Sequence, residues 1–159
     1  MNREKYLDQN ENLDIDLQVA SPLDIPKIIE IEKSVSGDKT YSPILTEEEW
    51  QEAFKKVKTF LIKNKNDLVG EVSYEIKDSE HSYIDGLVIK PEFQGKGFAR
   101  KAMEKIMEEL KIYKRIDLVT HPKNKRAIRL YESLGFKIEK QVENYFGDGE
   151  PRIVMVFKK

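Results

Sequence analysis

The sequence contains no cysteine and only two histidines among its 159 residues. The absence of cysteine excludes disulfide bridges, a thiolate zinc site and a cysteine nucleophile. Because the two histidines are far apart along the chain, we expect no bound metal. No run of about 18 apolar residues is present, so no membrane-spanning helix and no membrane partner are predicted.

The first 14 residues lack an apolar segment and any hydrophobic periodicity. They are too charged for a secretory signal, so the cytoplasm is the expected location. Residues 1–14 are predicted to form a flexible arm, and residues 15–159 are predicted to form one folded domain.

An excess of charge of one sign is also missing from the whole chain. Lys and Arg number 28 and Asp and Glu number 29, a formal charge of −1. This balance argues against a general nucleic-acid or anionic-membrane binder. Residues 90–129, however, carry twelve Lys and Arg against five Asp and Glu, a local charge of +7 that leaves −8 on the remainder. The near-neutral total is therefore a cancellation between a basic segment and an acidic remainder.

Apolar periodicity predicts a mixture of strands and helices. The predicted strands are 15–19, 60–63, 68–76, 83–89, 116–120, 136–142 and 153–157. The predicted helices begin at capping positions Ser21, Thr46 and Asn124 and at Gly97, and the second has Trp50, Ala53, Phe54 and Val57 on one face. Because strands and helices do not alternate strictly, we expect an α/β (α+β) domain built in three layers on one mixed sheet.

One segment combines a strand, a glycine turn and an amphipathic helix. The strand Leu87-Val88-Ile89 leads into Gln94-Gly95-Lys96-Gly97-Phe98-Ala99. The free N–H groups at such a helix start bind phosphate. By itself the pattern also fits a simple turn before a helix. It is neither a P-loop nor the three-glycine dinucleotide fingerprint.

Two motifs together resemble a known family. Residues 94–99 match the Gln/Arg-x-x-Gly-x-Gly/Ala signature of the GNAT superfamily of acetyl-CoA-dependent N-acetyltransferases. Residues 124–136 match its second motif, Asn-x-x-Ala-x-x-Leu-Tyr-x-x-x-Gly-Phe. The resemblance covers about residues 15–158. It implies a mostly antiparallel mixed sheet of six or seven strands flanked by about four helices, and acetyl-CoA as the cofactor.

The resemblance also implies where coenzyme A binds. The strand before the signature pairs with the pantetheine arm, the signature amides hold the pyrophosphate, and the second motif contacts the arm and the thioester sulfur. The residues implied are Leu87, Val88, Ile89, Gln94, Gly95, Lys96, Gly97, Phe98, Ala99, Arg100, Asn124 and Tyr131.

Tyr131 is the predicted general acid. A phenol beside the thioester sulfur could protonate the departing thiolate. From its spacing alone, Tyr131 also fits a core tyrosine on a helix face.

Asp85 is the predicted general base, and two other acidic residues are alternatives. Asp85 lies on the strand before the signature, where some members of the family carry an acid, although it also fits a strand edge or a contact to a cationic acceptor. An ordinary aspartate is a weak base, so Asp85 would need burial or a water molecule. Glu71 and Glu75 are rivals, both expected to face solvent, while His121 is expected to be structural and His81 has no assigned role.

The acceptor is expected to be a primary amine. The segment 144–150, Asn-Tyr-Phe-Gly-Asp-Gly-Glu, resembles the ending of protein N-terminal acetyltransferases, which favours a peptide N-terminus. Tyr145 and Glu71 are the predicted acceptor contacts. Val119, where ribosomal-alanine enzymes carry a glutamate, leaves polyamines and aminoglycoside-like amines as alternatives.

A non-catalytic acyl-CoA-binding module is a further alternative. The presence of both Asn124 and Tyr131 favours an enzyme. The family resemblance also makes a homodimer an expected assembly, and no nucleic-acid partner is expected.

Overall fold

The described part of the chain, residues 13–159 of a computed structural model, contains seven strands and four α-helices. The strands are β1 (Asp16–Val19), β2 (Val57–Asn64), β3 (Asp67–Ile76), β4 (His81–Ile89), β5 (Arg115–Thr120), β6 (Lys137–Val142) and β7 (Arg152–Lys158). The helices are α1 (Ile25–Ser34), α2 (Glu47–Ala53), α3 (Phe98–Glu109) and α4 (Lys125–Ser133). Nearly all of the predicted arm lies outside the described residues.

All seven strands belong to one mixed sheet in the order β1-β2-β3-β4-β5-β7-β6. Every neighbouring pair is antiparallel except β4 and β5, which run parallel. This confirms the predicted mixed sheet and its mostly antiparallel character. Between residues 13 and 159, no helix is long and apolar enough to cross a membrane.

Helix boundaries follow the capping signals in the sequence. The Thr46 hydroxyl accepts a hydrogen bond from the Glu49 N–H at 3.2 Å, and the Asn124 side chain accepts one from the Ala127 N–H at 3.2 Å. Both bonds satisfy N–H groups that the first helical turn leaves free. Gly135, with φ of 98°, takes the left-handed conformation after α4 that glycine tolerates best.

The predicted extension of the second helix to Val57 is wrong. Helix α2 ends at Ala53, and Val57 is the first residue of β2, where it lies opposite Glu75 of β3. Pairing with β3 gives the Val57 backbone hydrogen-bond partners in the sheet and buries its side chain, so the strand is favoured over one more helical turn.

Two apolar layers cover the two faces of the sheet. Helices α3 and α4 pack on one face, where Met103 and Ile106 are fully buried against the sheet. On the other face, Ile28 and Ile31 of α1 and Trp50 of α2 pack against Leu61. Each such side chain contributes roughly 2 kcal/mol by leaving water.

Strands β4 and β5 separate toward their carboxyl ends. Their pairing covers three residue pairs and ends at Tyr83 and Asp117, although β4 continues to Ile89. Asp85 lies at a β-bulge, because Ser73 is paired with Gly86 and the next residue, Tyr74, is paired with Ile84. A bulge bends and twists its strand. The bulge at Asp85 thus accompanies the divergence of β4 from β5.

Candidate functional site

Two cavities meet at the opening between β4 and β5. The deep cleft has a volume of about 410 Å³ and reaches under α1 and α2. The outer groove, of about 550 Å³, runs along the start of α3 and beside α4. Leu87, Asn124 and Tyr131 line both cavities, and we call these three residues the junction.

The outer groove has the features of an anion site. Gly95 and Gly97 have φ of 79° and 94°, so the turn before α3 uses left-handed backbone that glycine adopts without strain. The first turn of α3 directs N–H groups without helical partners toward the groove, and its dipole favours negative charge. Arg100 and Arg126 also line the groove.

The exposed edge of β4 completes the groove. Beyond Tyr83 the strand is not paired with β5, so the backbone near Leu87 is open to pairing with an extended ligand. Amide groups along such a ligand can add to the sheet as another strand does. The groove therefore suits a molecule with an amide-bearing arm and phosphates at one end.

Ten of the twelve predicted cofactor residues line the outer groove. They are Leu87, Ile89, Gln94, Gly95, Gly97, Phe98, Ala99, Arg100, Asn124 and Tyr131. The Val88 side chain instead packs in the apolar layer beneath α1, and the Lys96 ammonium lies 5.8 Å from the centre of the Phe93 ring. Neither of these side chains lines the groove.

Two polar side chains brace the groove from within the protein. The Gln94 amide donates a hydrogen bond to the Ile89 carbonyl at 2.9 Å, which ties the glycine turn to the end of β4. The Arg100 guanidinium donates one to the Ser133 hydroxyl at 2.6 Å and so links α3 to α4. The first bond fixes the glycine turn against β4, and the second fixes the spacing of α3 and α4 beside the groove.

Tyr131 lies at the junction with its side chain 9% exposed. Its ring packs at 6.1 Å from that of Phe136, which orients the side chain on α4. Burial raises the pKa of the Tyr131 hydroxyl to about 12. The group therefore keeps its proton near neutral pH and can donate it to an atom at the junction.

Four of the side chains that line the deep cleft are acidic. Its acids are Glu32, Glu49, Glu71 and Asp85. The one cationic lining residue among the described residues is Arg152, which is 2% exposed and donates to the Asp148 carboxylate at 2.9 Å. The cleft therefore favours a cationic ligand, whereas the outer groove favours an anionic one.

Glu71 is buried, so the expectation that it faces solvent is wrong. Its side chain is 3% exposed and lies near the equally buried Glu32 of α1. Residues two apart on a strand share a face, and Glu71 and Ser73 share the face that α1 covers. Glu75, farther along this face, is only partly covered.

Glu32 and Tyr41 were missed by the sequence interpretation. The Tyr41 hydroxyl donates a hydrogen bond to the Glu32 carboxylate at 3.1 Å. A signal for Glu32 was present, because it follows Ile25 and Ile28 at helical spacing and therefore falls on the apolar face of α1. A charged residue at such a position needs a partner or a function.

Asp85 lies at the mouth of the deep cleft, at the bulge of β4. The Asp85 side chain is exposed on its solvent side. Desolvation by the surrounding cleft raises the pKa of its carboxyl group, and the nearby Glu75 raises it further, while Lys77 opposes both effects. The Lys77 ammonium is also 3.0 Å from the Glu75 carboxylate. Asp85 is thus a better proton acceptor than an ordinary aspartate.

The segment 144–150 contributes Phe146 to the lining of the deep cleft. Phe146 lines the cleft and lies 5.1 Å from the Arg152 guanidinium, which stacks on its ring. The predicted acceptor contact Tyr145 is not among the cleft-lining residues. Its side chain is 39% exposed, and its ring packs edge-on against that of Phe146 with the ring centres 4.7 Å apart.

His121 anchors this segment rather than lining a cavity. Its Nδ1 accepts a hydrogen bond from the Lys123 N–H at 3.0 Å, so its Nε2 carries the proton and donates to Glu150 at 2.8 Å. This arrangement supports the expected structural role. Among residues 13–159, no group of three or more His, Cys, Asp or Glu side chains is arranged to hold a metal ion.

Comparison with known proteins gives a consistent result. Residues 25–136 match the sequence model described as the acetyltransferase (GNAT) family. A spermidine N(1)-acetyltransferase of Escherichia coli strain K12 is 35% identical over 71 residues, an alignment that spans 42% of this chain and 38% of that protein.

Solved structures share the fold. The ribosomal-protein-S18-alanine N-acetyltransferase from Escherichia coli superposes with a TM-score of 0.76 at 19% identity, covering 91% of this chain and 94% of that one. A GNAT family acetyltransferase from Elizabethkingia anophelis with acetyl-CoA bound gives 0.72 at 16% identity, covering 91% and 98%.

Proposed function

The chain belongs to the acetyltransferase (GNAT) family, and on that premise we propose that it transfers an acetyl group from acetyl-CoA to a primary amine. The observation that carries this proposal is the junction. One basic groove and one acidic cleft open onto the same three residues, Leu87, Asn124 and Tyr131. An anionic donor and a cationic acceptor can therefore meet there. One sheet with helices on both faces also supports a single acetyltransferase domain over residues 15–159.

The residues of the outer groove fit coenzyme A. The left-handed glycines and the start of α3 suit its pyrophosphate, and the free edge of β4 suits its amide-bearing arm. A Cβ at Gly95 would lie 3.1 Å from the Arg126 guanidinium, so the glycine also keeps room for that cation. When bound, acetyl-CoA supplies an acetyl group activated as a thioester.

Tyr131 is proposed as the proton donor. Its hydroxyl remains protonated near neutral pH because burial raises its pKa to about 12. Tyr131 belongs to the junction, where the departing sulfur needs a proton. The transfer leaves a neutral thiol rather than a thiolate.

Asp85 is proposed as the proton acceptor for the incoming amine, directly or through water. Its raised pKa and its place at the mouth of the deep cleft support this role. Helices α1 and α2 and segment 144–150 enclose the acceptor and limit competing attack by water.

A small cationic amine is the proposed acceptor. The acidic lining of the deep cleft supports it, and so does the similarity to a spermidine N(1)-acetyltransferase. A peptide N-terminus is the second candidate, supported by the aromatic pair Tyr145 and Phe146 beside the cleft and by the shared fold with the S18-alanine enzyme. Val119 lines the cleft without a carboxylate, which weighs against an acceptor chemistry that needs an acid there.

Thiol release from acetyl-CoA, measured over a panel of amines and short peptides, tests this function. We expect release that depends on the acceptor, with mass spectrometry showing one added acetyl group. Calorimetric binding of acetyl-CoA without turnover on any acceptor would instead identify a non-catalytic acyl-CoA-binding module.

A further inference from the structure

His121 lies beside both cavities and makes a separate hydrogen bond with each of its ring nitrogens. It follows Thr120, which ends β5 and lines the deep cleft, and it comes three positions before the junction residue Asn124. The His121 side chain is 3% exposed, so its two nitrogens depend on protein partners. These two bonds lead to different parts of the site.

The Nδ1 atom holds the turn that leads to the junction. It accepts a hydrogen bond from the Lys123 N–H at 3.0 Å, and the His121 carbonyl accepts one from the Asn124 N–H at 2.9 Å. The Asn124 side chain then caps α4, the helix that carries Tyr131. The Nδ1 bond therefore supports the side of the site proposed for acetyl-CoA.

The Nε2 atom holds the segment that carries Phe146. It donates to the Glu150 carboxylate at 2.8 Å, and this hydrogen bond lowers the pKa of Glu150, so the oxygen is ionised near neutral pH. The Asp148 carboxylate accepts from the Glu150 N–H at 3.0 Å and from the Arg152 guanidinium at 2.9 Å. Arg152 in turn lies against the Phe146 ring. The Nε2 bond therefore supports the acceptor side.

Segment 144–150 needs such support, because it contains no helical or strand residue. Within it, the Asn144 side chain accepts a hydrogen bond from the Gly149 N–H at 2.7 Å, and the Asn144 carbonyl accepts one from the Gly147 N–H at 3.1 Å. A short loop of this kind opens locally unless contacts with the rest of the protein hold it. The bond from His121 to Glu150 is such a contact.

We propose that His121 is a positioning residue that holds the donor side and the acceptor side of the site in a fixed relation. Its Nδ1 atom positions Asn124 at the junction, and its Nε2 atom positions Phe146 in the lining of the deep cleft. The inference rests on the proposed acetyl transfer and adds to it a residue that lines neither cavity. A structural role alone predicts one general loss, whereas this role predicts two separable effects.

Two substitutions separate the two bonds. The amide group of asparagine lies about where Nδ1 does, and the longer glutamine places its amide about where Nε2 does. His121→Asn therefore keeps an acceptor for the Lys123 N–H and loses the bond to Glu150. His121→Gln keeps a donor to Glu150 and loses the bond to Lys123.

Calorimetry with coenzyme A and amide hydrogen exchange, both on the full chain, measure the two effects without an acceptor. His121→Asn should bind coenzyme A as the unmodified chain does, while the amides of Gly147 and Gly149 exchange roughly tenfold faster. His121→Gln should bind coenzyme A roughly fivefold more weakly and keep the slow exchange of both glycines.

Steady-state kinetics adds the catalytic readout. The acceptor probes are butylamine and the dipeptide alanyl-alanine, one for each candidate acceptor class. His121→Asn should raise the acceptor KM roughly fivefold with little change in the KM for acetyl-CoA, and His121→Gln should do the reverse. A merely structural role would move both constants together.

Glu150→Ala tests the Nε2 bond from a partly exposed position, which guards against a His121 variant that does not fold. It should reproduce His121→Asn, and the double variant should add little, because both changes remove the same bond. His81→Asn is the matched control. His81 lies 2.7 Å from the Asp117 carboxylate and lines neither cavity, so both KM values should stay unchanged.

The alternatives give different outcomes. Parallel losses of coenzyme A binding and of slow exchange in both His121 variants would make the residue merely structural and overturn the proposal. Additive effects of His121→Asn and Glu150→Ala would do the same. Turnover with unchanged exchange in His121→Asn would keep the proposed function and remove only this inference. An unmodified chain that acetylates neither probe, with the two separate effects on binding and exchange intact, would remove these acceptors and retain the positioning role.

Discussion

Tyr131 can act as a proton donor or as a packing residue, and these two roles predict different effects of removing its hydroxyl group. Tyr131 lines both cavities, and its ring packs on Phe136. Tyr131→Phe keeps the ring and removes the proton donor. We expect kcat to fall by roughly 100-fold with little change in the KM for acetyl-CoA.

Steady-state kinetics over a range of pH checks this expectation. Tyr113→Phe is the matched control, because Tyr113 is another partly buried tyrosine that lines neither cavity. A Tyr131→Phe enzyme with unchanged kcat would mean that the ring alone is required.

Asp85 can be tested through its neighbours without changing Asp85 itself. Its carboxyl group must be ionised to accept a proton, so activity should be lost as pH falls through its raised pKa. Glu75 raises this pKa and Lys77 lowers it. Glu75→Gln should therefore move the acidic limb of the kcat/KM profile to lower pH, and Lys77→Gln should move it to higher pH.

The two shifts have opposite signs, which distinguishes an electrostatic effect on the pKa of Asp85 from a general loss of activity in the variants. Asp85→Asn should lose the limb altogether. Shifts of the same sign in both neighbour variants, or a limb that persists in Asp85→Asn, would assign the proton acceptor elsewhere.

At this scale, motif residues were easier to predict than residues that tertiary packing brings together. Gly97, Asn124 and Tyr131 lie within contiguous motifs, and the structure places them around one groove. Glu32 and Glu71 are 39 positions apart in the sequence, and their proximity depends on α1 crossing β3. Local spacing carries no information about that crossing.

At the scale of the element, strand β4 depends on close backbone contact with β3. A Cβ at Gly70 of β3 would lie 2.0 Å from the Val88 carbonyl oxygen, too close without movement of the backbone. Gly70→Ala should therefore destabilise the protein by about 2 kcal/mol, as overpacking commonly does. Urea unfolding followed by circular dichroism measures the change.

Gly37 provides the control for that substitution. A Cβ there would meet no atom within 4 Å, and its backbone is not left-handed. Gly37→Ala should leave the unfolding midpoint nearly unchanged. Equal effects of the two alanines would indicate a general response to losing glycine rather than a clash at β4.

Helix starts and strand identities were predicted from periodicity and caps, but strand irregularities were not. The caps at Thr46 and Asn124 follow from side-chain chemistry within four residues. The end of α2 before Val57 and the bulge at Asp85 depend on the register with β3. Register is a relation between strands, so one strand's pattern cannot specify it.

At the scale of the whole molecule, charge is separated between the two cavities. The net +7 of residues 90–129 includes Arg100 and Arg126 at the outer groove, while the acids of the deep cleft come from the remainder. Raising salt from about 0.05 to 0.5 M should therefore raise the KM for acetyl-CoA more than it changes kcat.

A pair of variants locates this salt effect. Arg126→Gln should raise that KM at low salt and reduce its salt dependence, because Arg126 lines the groove. Lys105→Gln, an exposed residue of α3 outside the groove, should do neither. An equal change of KM and of its salt dependence in both variants would mean that acetyl-CoA responds to the overall positive charge of the segment rather than to Arg126 in the groove.

The three pairs that join β4 to β5 have a mechanical consequence. Strands β1 to β4 and strands β5 to β7 form two antiparallel halves of the sheet. The short parallel pairing that ends at Tyr83 and Asp117 joins these halves. The outer groove is lined by residues that come before this connection, such as Leu87, and by residues that follow it, such as Asn124. A ligand in the groove would therefore contact both halves of the sheet, and we expect amide hydrogen exchange at the ends of β4 and β5 to slow when acetyl-CoA binds.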